Sequence, residues 1–291
     1  MKGIRGISIG LIVAAGLFPA LAVAQPATPG RNFDHCTYFI DSLPAVIFET
    51  EGTFCLRRDL STALSRHPAI VIYSSPRVTI DCNNFRIDGL QAAPGTRSTG
   101  ILTNDSSSTT IRRCKIRGFE RGIDLSDGEN GLVEDNELDL NSAIGISAPA
   151  GGVIRRNTVR DTGISSGFAA GIATGSDSSG LFSADVIGNT ITGVFSTGTA
   201  YGIHLGANFD GRITGNRVRD ARVGIHIGYG EFAVITDNHL LAPPGRYRGQ
   251  QTTTGISCTR YPPLVSGNTI IGFSRPLLGC NDAGNRIAPP R

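Results

Sequence analysis

The chain has no tryptophan, and its one methionine is Met1. Lysine is almost missing: Lys2 and Lys115 are the lysines of the whole sequence, so positive charge is carried by arginine, whose planar fork pairs bidentately with carboxylates. Neither sign of charge dominates, with 27 Lys+Arg against 24 Asp+Glu. Such a balance gives no electrostatic hold on nucleic acid or on an anionic membrane, and neither is expected as a partner. There is no Cys-x-x-Cys pair and no Cys/His cluster, so no metal site is read from the cysteines. After the leader no apolar run is long enough to span a bilayer.

The leader itself has the form of a secretory signal over 1–24. Lys2 and Arg5 precede an apolar run from Ile7 through Val23, and Ala22-Val23-Ala24 forms a small-residue cleavage pattern before Gln25. Cleavage after Ala24 and a secreted or periplasmic location are expected. Six cysteines in an exported chain point to disulfides.

What the chain has in excess is glycine, 38 of 291 residues, together with a repeat. Short blocks of the form apolar-x-x-Asn-x-apolar recur, as in VEDNEL, IRRNTV, VIGNTI, ITGNRV, ITDNHL and VSGNTI. Their central column holds Asn83, Asn136, Asn157, Asn189, Asn216, Asn238 and Asn268, with Cys114 taking the place once. Between the blocks lie Gly-Ile pairs at Gly100, Gly122, Gly145, Gly171, Gly202, Gly224 and Gly255. Central positions are separated by 31, 22, 21, 32, 27, 22 and 30 residues. A period of this size marks a solenoid, and the two-residue apolar alternation inside each unit makes its elements strands rather than helices.

A strand of a few residues cannot bury its apolar face alone, so each turn must stack on the next in a parallel coil. Identical residues then stand above one another. A buried Asn at a bend can donate to and accept from the Asn of the next turn, so the column is assigned a structural role.

These blocks resemble the right-handed parallel β-helix repeat proteins, the pectate-lyase-like superfamily and its NosD-like periplasmic relatives, over about residues 76–288. The resemblance implies an all-β, single-stranded right-handed parallel β-helix, a solenoid of about eight to nine turns, with an N-terminal cap. The expected boundaries are a signal peptide over 1–24, a cap segment over 25–75 and the repeats over 76–291. Within the cap segment, strands are expected at Ala45 to Phe48, Thr53 to Leu56 and Ala69 to Tyr73, and a short helix at Asp59 to Leu64.

The repeat also serves as a coordinate frame. It aligns Cys258 with Cys280 on adjacent turns, brings Cys82 near Cys114, and leaves Cys36 with Cys55. Three segments lengthen at one corner of the coil, 160–170, 192–200 and 241–254, and loops grown on one side commonly border a binding face. The residue after each Gly-Ile should point outward: Leu102, Asp124, Ser147, Ala173, His204, His226 and Ser257. His204 and His226 thus become outer neighbours and the candidate catalytic pair, since imidazole titrates near neutral pH. Tyr201, Tyr229, Arg246, Tyr247 and Arg248 are the candidate substrate-binding residues, tyrosine offering a stacking surface for sugar rings and arginine a partner for carboxylates.

Arg113, Asp135 and Arg156 are expected in a second outward column of alternating charge. No cofactor is expected, with Asp124, Asp127, Glu134 and Asp139 as the one Ca²⁺ candidate.

The resemblance carries no activity with it. The Asn-Thr-Asp, Asp-Asp and Gly-His-Gly blocks of polygalacturonases are missing, as is the Asp-Pro-His block of alginate epimerases and related lyases. The Trp-x-Asp-His strand of pectate lyases needs a tryptophan that the chain lacks. The functional expectation is a polysaccharide or cell-envelope glycan bound or processed, lyase- or hydrolase-like, at the edge bordered by the three loops. The alternative is a non-catalytic envelope or adhesin-like β-helix protein. A NosD-like role in copper-site assembly is a further idea, for which the single methionine and surface histidines supply few ligands.

Overall fold

The computed structural model describes residues 33–289 apart from 93–94, 149, 164–166, 175–181, 207–208, 231 and 244–251. The expected signal peptide and the candidates Arg246, Tyr247 and Arg248 lie outside the described residues. The described strands form three parallel sheets, and the chain visits them in a fixed cycle. Sheet I holds the Gly-Ile strands, sheet II the strands before the Asn bend and sheet III those after it. One cycle runs through Thr99–Ser107, Thr110–Arg112 and Lys115–Arg117 before Arg121–Glu129 reopens sheet I. No helix occurs among the described residues, and none is long and apolar enough to cross a membrane.

The register aligns like with like. Ile101, Ile123, Ile146, Ile172, Ile203, Ile225 and Ile256 stack as partners along sheet I, each fully buried. Ile111, Val133, Ile154, Val186, Ile213, Ile235 and Val265 do the same in sheet II, and Ile116, Leu138, Val159, Ile191, Val218, Leu240 and Ile270 in sheet III. Three inward columns of branched aliphatics therefore fill the bore, which is why every unit repeats the alternation.

The glycine before each isoleucine is explained by close approach between turns. A Cβ on Gly202 would lie 2.6 Å from the Gly224 carbonyl oxygen and 2.3 Å from a Val218 methyl, and one on Gly145 2.5 Å from the Gly171 carbonyl oxygen. No other residue fits without parting the turns.

The Asn column forms a continuous ladder from Asn136 upward. The Nδ2 and the backbone N–H of Asn157 both donate to Oδ1 of Asn189, at 3.0 and 2.9 Å, and Asn157 Nδ2 also donates to the Val133 carbonyl at 2.9 Å. The pattern repeats through Asn216, Asn238 and Asn268, and Asn285 extends it by one more rung. Asn83 does not join the ladder. Its bend, from Cys82 to Phe85, is two residues longer than the Arg113–Cys114 bend above it, and Cys114 has no amide side chain to pass the ladder down. The Cys82–Cys114 disulfide links the turns there, while Asn83 bonds the Leu56 carbonyl and Arg113.

Cys36–Cys55 and Cys258–Cys280 are also bonded, so all three expected pairs form. Three disulfides fit an extracellular or periplasmic protein.

The coil begins earlier than the repeat signature. Ala45–Phe48 and Ile70–Tyr73 already pair within sheet I, Tyr38–Ile40 and Gly52–Leu56 within sheet II, and Leu60–Ser61 opens sheet III. The described part of the expected cap segment 25–75 already pairs into the three sheets, and where a helix was expected at Asp59 to Leu64 there is only the short strand Leu60–Ser61. Among the described residues sheets I and III each hold ten strands, counting the turns that precede the repeat signature. These first turns bury aliphatics such as Ile47, Leu56, Ile70 and Ile72 but lack the Gly-Ile and Asn markers, which is why the repeat alone misses them.

Candidate functional site

The outer face of sheet I carries the site. All three lengthened segments connect sheet III to sheet I, placing them along one edge of that face. The outward column reads Leu102, Asp124, Ser147, Ala173, His204, His226 and Ser257 in direct register, as expected.

His204 and His226 are paired across adjacent turns, with ring centroids 5.2 Å apart and planes 24° from parallel. Tyr201 lies over both, 4.7 Å from the His204 ring and 5.2 Å from the His226 ring. Phe168, contributed by the segment 160–170, stands edge-on to His204 at 5.0 Å and 5.7 Å from Tyr201. Small residues one turn earlier make room for these rings: Ala170 is the register partner of Tyr201 and Ala173 of His204. Tyr201 packs there on a small outer apolar cluster of Ile144, Ala170 and Ala173, separate from the bore.

This packing decides the electrostatics. Burial first, and the neighbouring His226 second, push the His204 imidazole down to about 4, and burial lowers His226 as well. At neutral pH both rings are uncharged, so the group acts as a row of flat, weakly polar faces. Efficient general-base chemistry near neutrality needs a pKa near the working pH, which His204 does not have.

Beside Tyr201 lies a cavity of about 280 Å³ lined by Thr199, Ala200, Arg222, Val223, Thr252, Thr254 and Arg275. Arg222 is held in place by donating to the Gly198 carbonyl at 2.9 Å. Hydroxyls and guanidinium groups thus adjoin the rings, with Thr199 and Thr252 coming from two of the lengthened segments.

Not every expected residue converges. Tyr229 lies 6.4 Å from Tyr261, tilted by 38°, and 5.6 Å under the guanidinium of Arg260, a different set of contacts from the histidine row. The Ca²⁺ candidates diverge: Asp124 and Asp127 lie in sheet I, Glu134 in sheet II and Asp139 in sheet III. Asp124 is bonded to Arg121 and Ser126, and Glu134 to Arg155 and Arg156. The charge column is realised as Arg156 on Asp135, while Arg113 turns back to Asp81. Phe168, Arg222 and Arg275 were missed. The lengthened segments pointed to the place of Phe168, but nothing in the repeat says which of their residues turn onto the face, and Arg222 and Arg275 lie outside those segments.

Two overlapping matches to the family model described as "Right handed beta helix region" cover residues 61–205 and 99–270. The chain belongs to this right-handed β-helix family. No curated protein sequence matches the chain. Among solved structures, this β-helix is similar to an alginate lyase from Paenibacillus sp. strain FPU-7, with 15% identity, a TM-score of 0.51, and coverage of 87% of this chain and 97% of that one. It is also similar to the Dettilon tailspike protein, with 17% identity, a TM-score of 0.48 and coverage of 85% of this chain and 56% of that one. A third similarity is to the Streptococcus pneumoniae surface protein and adhesin PfbA, with 10% identity, a TM-score of 0.44, and coverage of 84% and 89% respectively. At these identities the likeness concerns the β-helix fold alone.

Proposed function

We propose that this β-helix binds a polysaccharide along the outer face of sheet I, over the turns that carry Phe168, Tyr201, His204 and His226. The carrying observation is the ring row and the arginine- and threonine-lined cavity on one face, bordered by three lengthened segments. Turns repeat every ~4.8 Å, a length comparable to one pyranose unit, so a glycan lying along the coil axis advances about one sugar per turn. Flat rings stack on sugar faces, and Arg222 and Arg275 suit a carboxylate-bearing sugar. The alginate lyase, of the same fold, acts on such a polymer by its name, which agrees with this reading without establishing it. Location in the periplasm or outside the cell belongs to the same proposal, with three disulfides in support.

Binding is favoured over turnover because both imidazoles are depressed and no catalytic block of a related enzyme is present. The second reading, a lyase or hydrolase using His204 and His226, rests on their pairing across turns. A glycan array of pectins, alginate and glycosaminoglycans probed with the protein separates the two. Binding that is lost in Tyr201→Ala and weakened in Arg222→Gln, with no unsaturated uronate and no new reducing ends, supports the first reading. Product formation abolished by His226→Ala supports the second, and an array without any binding refutes both.

A further inference from the structure

The outer face of sheet III handles charge differently from that of sheet II. On sheet II the outward arginines are matched by a carboxylate on the adjacent turn: Arg112 by Asp81, Arg155 by Glu134 and Arg212 by Asp185. On sheet III the later strands Thr190–Val194, Arg217–Arg219, His239–Leu241, Thr269–Ile271 and Arg286–Ala288 contain no carboxylate. Arg217, Arg219 and Arg286 are exposed there, and none has a carboxylate partner among the described residues. The acidic groups of the bordering bends are turned elsewhere. Asp220 has one oxygen buried, Asp237 faces Gly267 of the next turn, and Asp282 accepts from Asn285.

Each unmatched arginine stands instead in register with a threonine. Arg217 is the partner of Thr190, Arg219 of Thr192 and Arg286 of Thr269. The two strands of each pair lie ~4.8 Å apart, so guanidinium and hydroxyl rise from one face side by side. The hydroxyls of Thr190, Thr192 and Thr269 make no hydrogen bond among the described residues. Arg217 and Arg219 are separated by ~6.6 Å along their strand, and Arg286 stands three turns further, ~14 Å along the coil.

We propose that this face, at Arg217, Arg219 and Arg286, is a docking surface for a sulfated polysaccharide. A guanidinium fork presents two parallel N–H donors, and the threonine beside it adds a third. A sulfate ester has three terminal oxygens to meet them, whereas a carboxylate or a phosphodiester has two. The paired arginines of one strand suit sulfates on the same or adjoining sugars, and Arg286 suits one about three sugars along the axis. The five strands carry no phenylalanine or tyrosine, so the polymer is held by charge and spacing rather than by stacking. The face belongs to a different sheet from Tyr201 and does not rest on the function proposed for sheet I. Exposed pairs of this kind are individually weak, each contributing about two- to fivefold in affinity, and salt screens them.

The test is calorimetric titration of the full chain with dextran sulfate, beside uncharged dextran, polygalacturonate and double-stranded DNA, at low and at high salt. Dextran sulfate is expected to bind, about tenfold or more weaker at high salt, and uncharged dextran not to bind. Arg217→Gln/Arg219→Gln should weaken binding by about tenfold, and adding Arg286→Gln should weaken it further. Arg212→Gln removes an equally exposed arginine from sheet II and should change binding less than about twofold. Because Arg217, Arg219 and Arg286 are exposed and unpaired, their variants should keep the wild-type melting temperature, which separates lost binding from lost fold. No binding of dextran sulfate at low salt overturns the proposal, as does binding indifferent to Arg217→Gln/Arg219→Gln or weakened equally by Arg212→Gln. Binding lost in Tyr201→Ala instead assigns the polymer to sheet I and overturns it too. Polygalacturonate or DNA held through these arginines as tightly as dextran sulfate refutes the choice of sulfate.

Discussion

Replacing Asn189 by alanine should destabilise the coil far more than the loss of one exposed amide would. Oδ1 of Asn189 accepts from both the backbone N–H and the Nδ2 of Asn157, and its own Nδ2 donates to the Ile154 carbonyl at 2.9 Å and to Asn216 Oδ1 at 3.0 Å. Asn157 Nδ2 keeps the Val133 carbonyl, and Asn216 Oδ1 keeps the Asn189 backbone N–H. The Asn157 backbone N–H keeps no such partner, and it sits where the residue is 1% exposed. An orphaned buried donor costs about 1–3 kcal/mol, and the three other lost bonds about 1 kcal/mol each, for a total of about 4–6 kcal/mol. Asn285→Ala removes the same kind of contacts at the half-exposed end of the column, where water can replace them, and should cost about 1 kcal/mol. Urea unfolding followed by circular dichroism would compare the two, and amide exchange would locate the loosening at Asn157. If Asn189→Ala costs under about 1 kcal/mol, or no more than Asn285→Ala, the buried ladder is not what satisfies these bends.

Gly202→Ala places a methyl 2.6 Å from the Gly224 carbonyl oxygen and should cost about 1–3 kcal/mol by overpacking, read as a fall in melting temperature; an unchanged melting temperature would count against the close-approach account. Removing Cys258–Cys280, which closes a separation of 22 residues, should cost about 3 kcal/mol on a chain-entropy estimate, with faster amide exchange in Arg275–Leu278 and Arg286–Ala288 as the check. The folded protein takes up a proton on His204 only near pH 4, whereas the ordinary value is 6.5. Between those values the unfolded chain binds more protons, so the stabilisation is fully present above 6.5 and is lost as pH falls towards 4. The paired carboxylates Asp81, Asp135 and Asp185, which are lowered from 3.8, lose their contribution at more acidic pH, so the two effects separate. His204→Phe should flatten the stability profile over the upper window, and a profile identical to wild type would refute the burial of this imidazole.

The fold was legible because each turn writes the same local rule into the chain. Inward aliphatics alternate with outward residues, glycine sits where two turns touch, and Asn sits where a buried bend needs a donor and an acceptor. The first turns were not legible from the repeat, since Ile47, Phe54 and Ile72 are buried in the coil without glycine or Asn markers. At the site, His204 and His226 were readable because register is arithmetic once the period is known. Tyr229 was misplaced by the same arithmetic, since proximity in sequence to His226 does not determine which way a ring turns.

Sequence alone therefore determined the parallel coil, the Cys258–Cys280 and Cys82–Cys114 neighbours and the outward histidine column by counting residues along a periodic chain, with Cys36–Cys55 left as the remaining pair. Only tertiary structure decided what surrounds them. The depressed imidazoles depend on Phe168 and Tyr201 folding over the face, and the cavity beside Tyr201 on Arg222 and Arg275 arriving from neighbouring turns. His35 and Asp81, 46 residues apart in sequence, likewise meet only because the first turns stack. Periodicity fixes which backbone positions are neighbours, whereas burial, ring orientation and charge pairing depend on side chains that the period does not constrain.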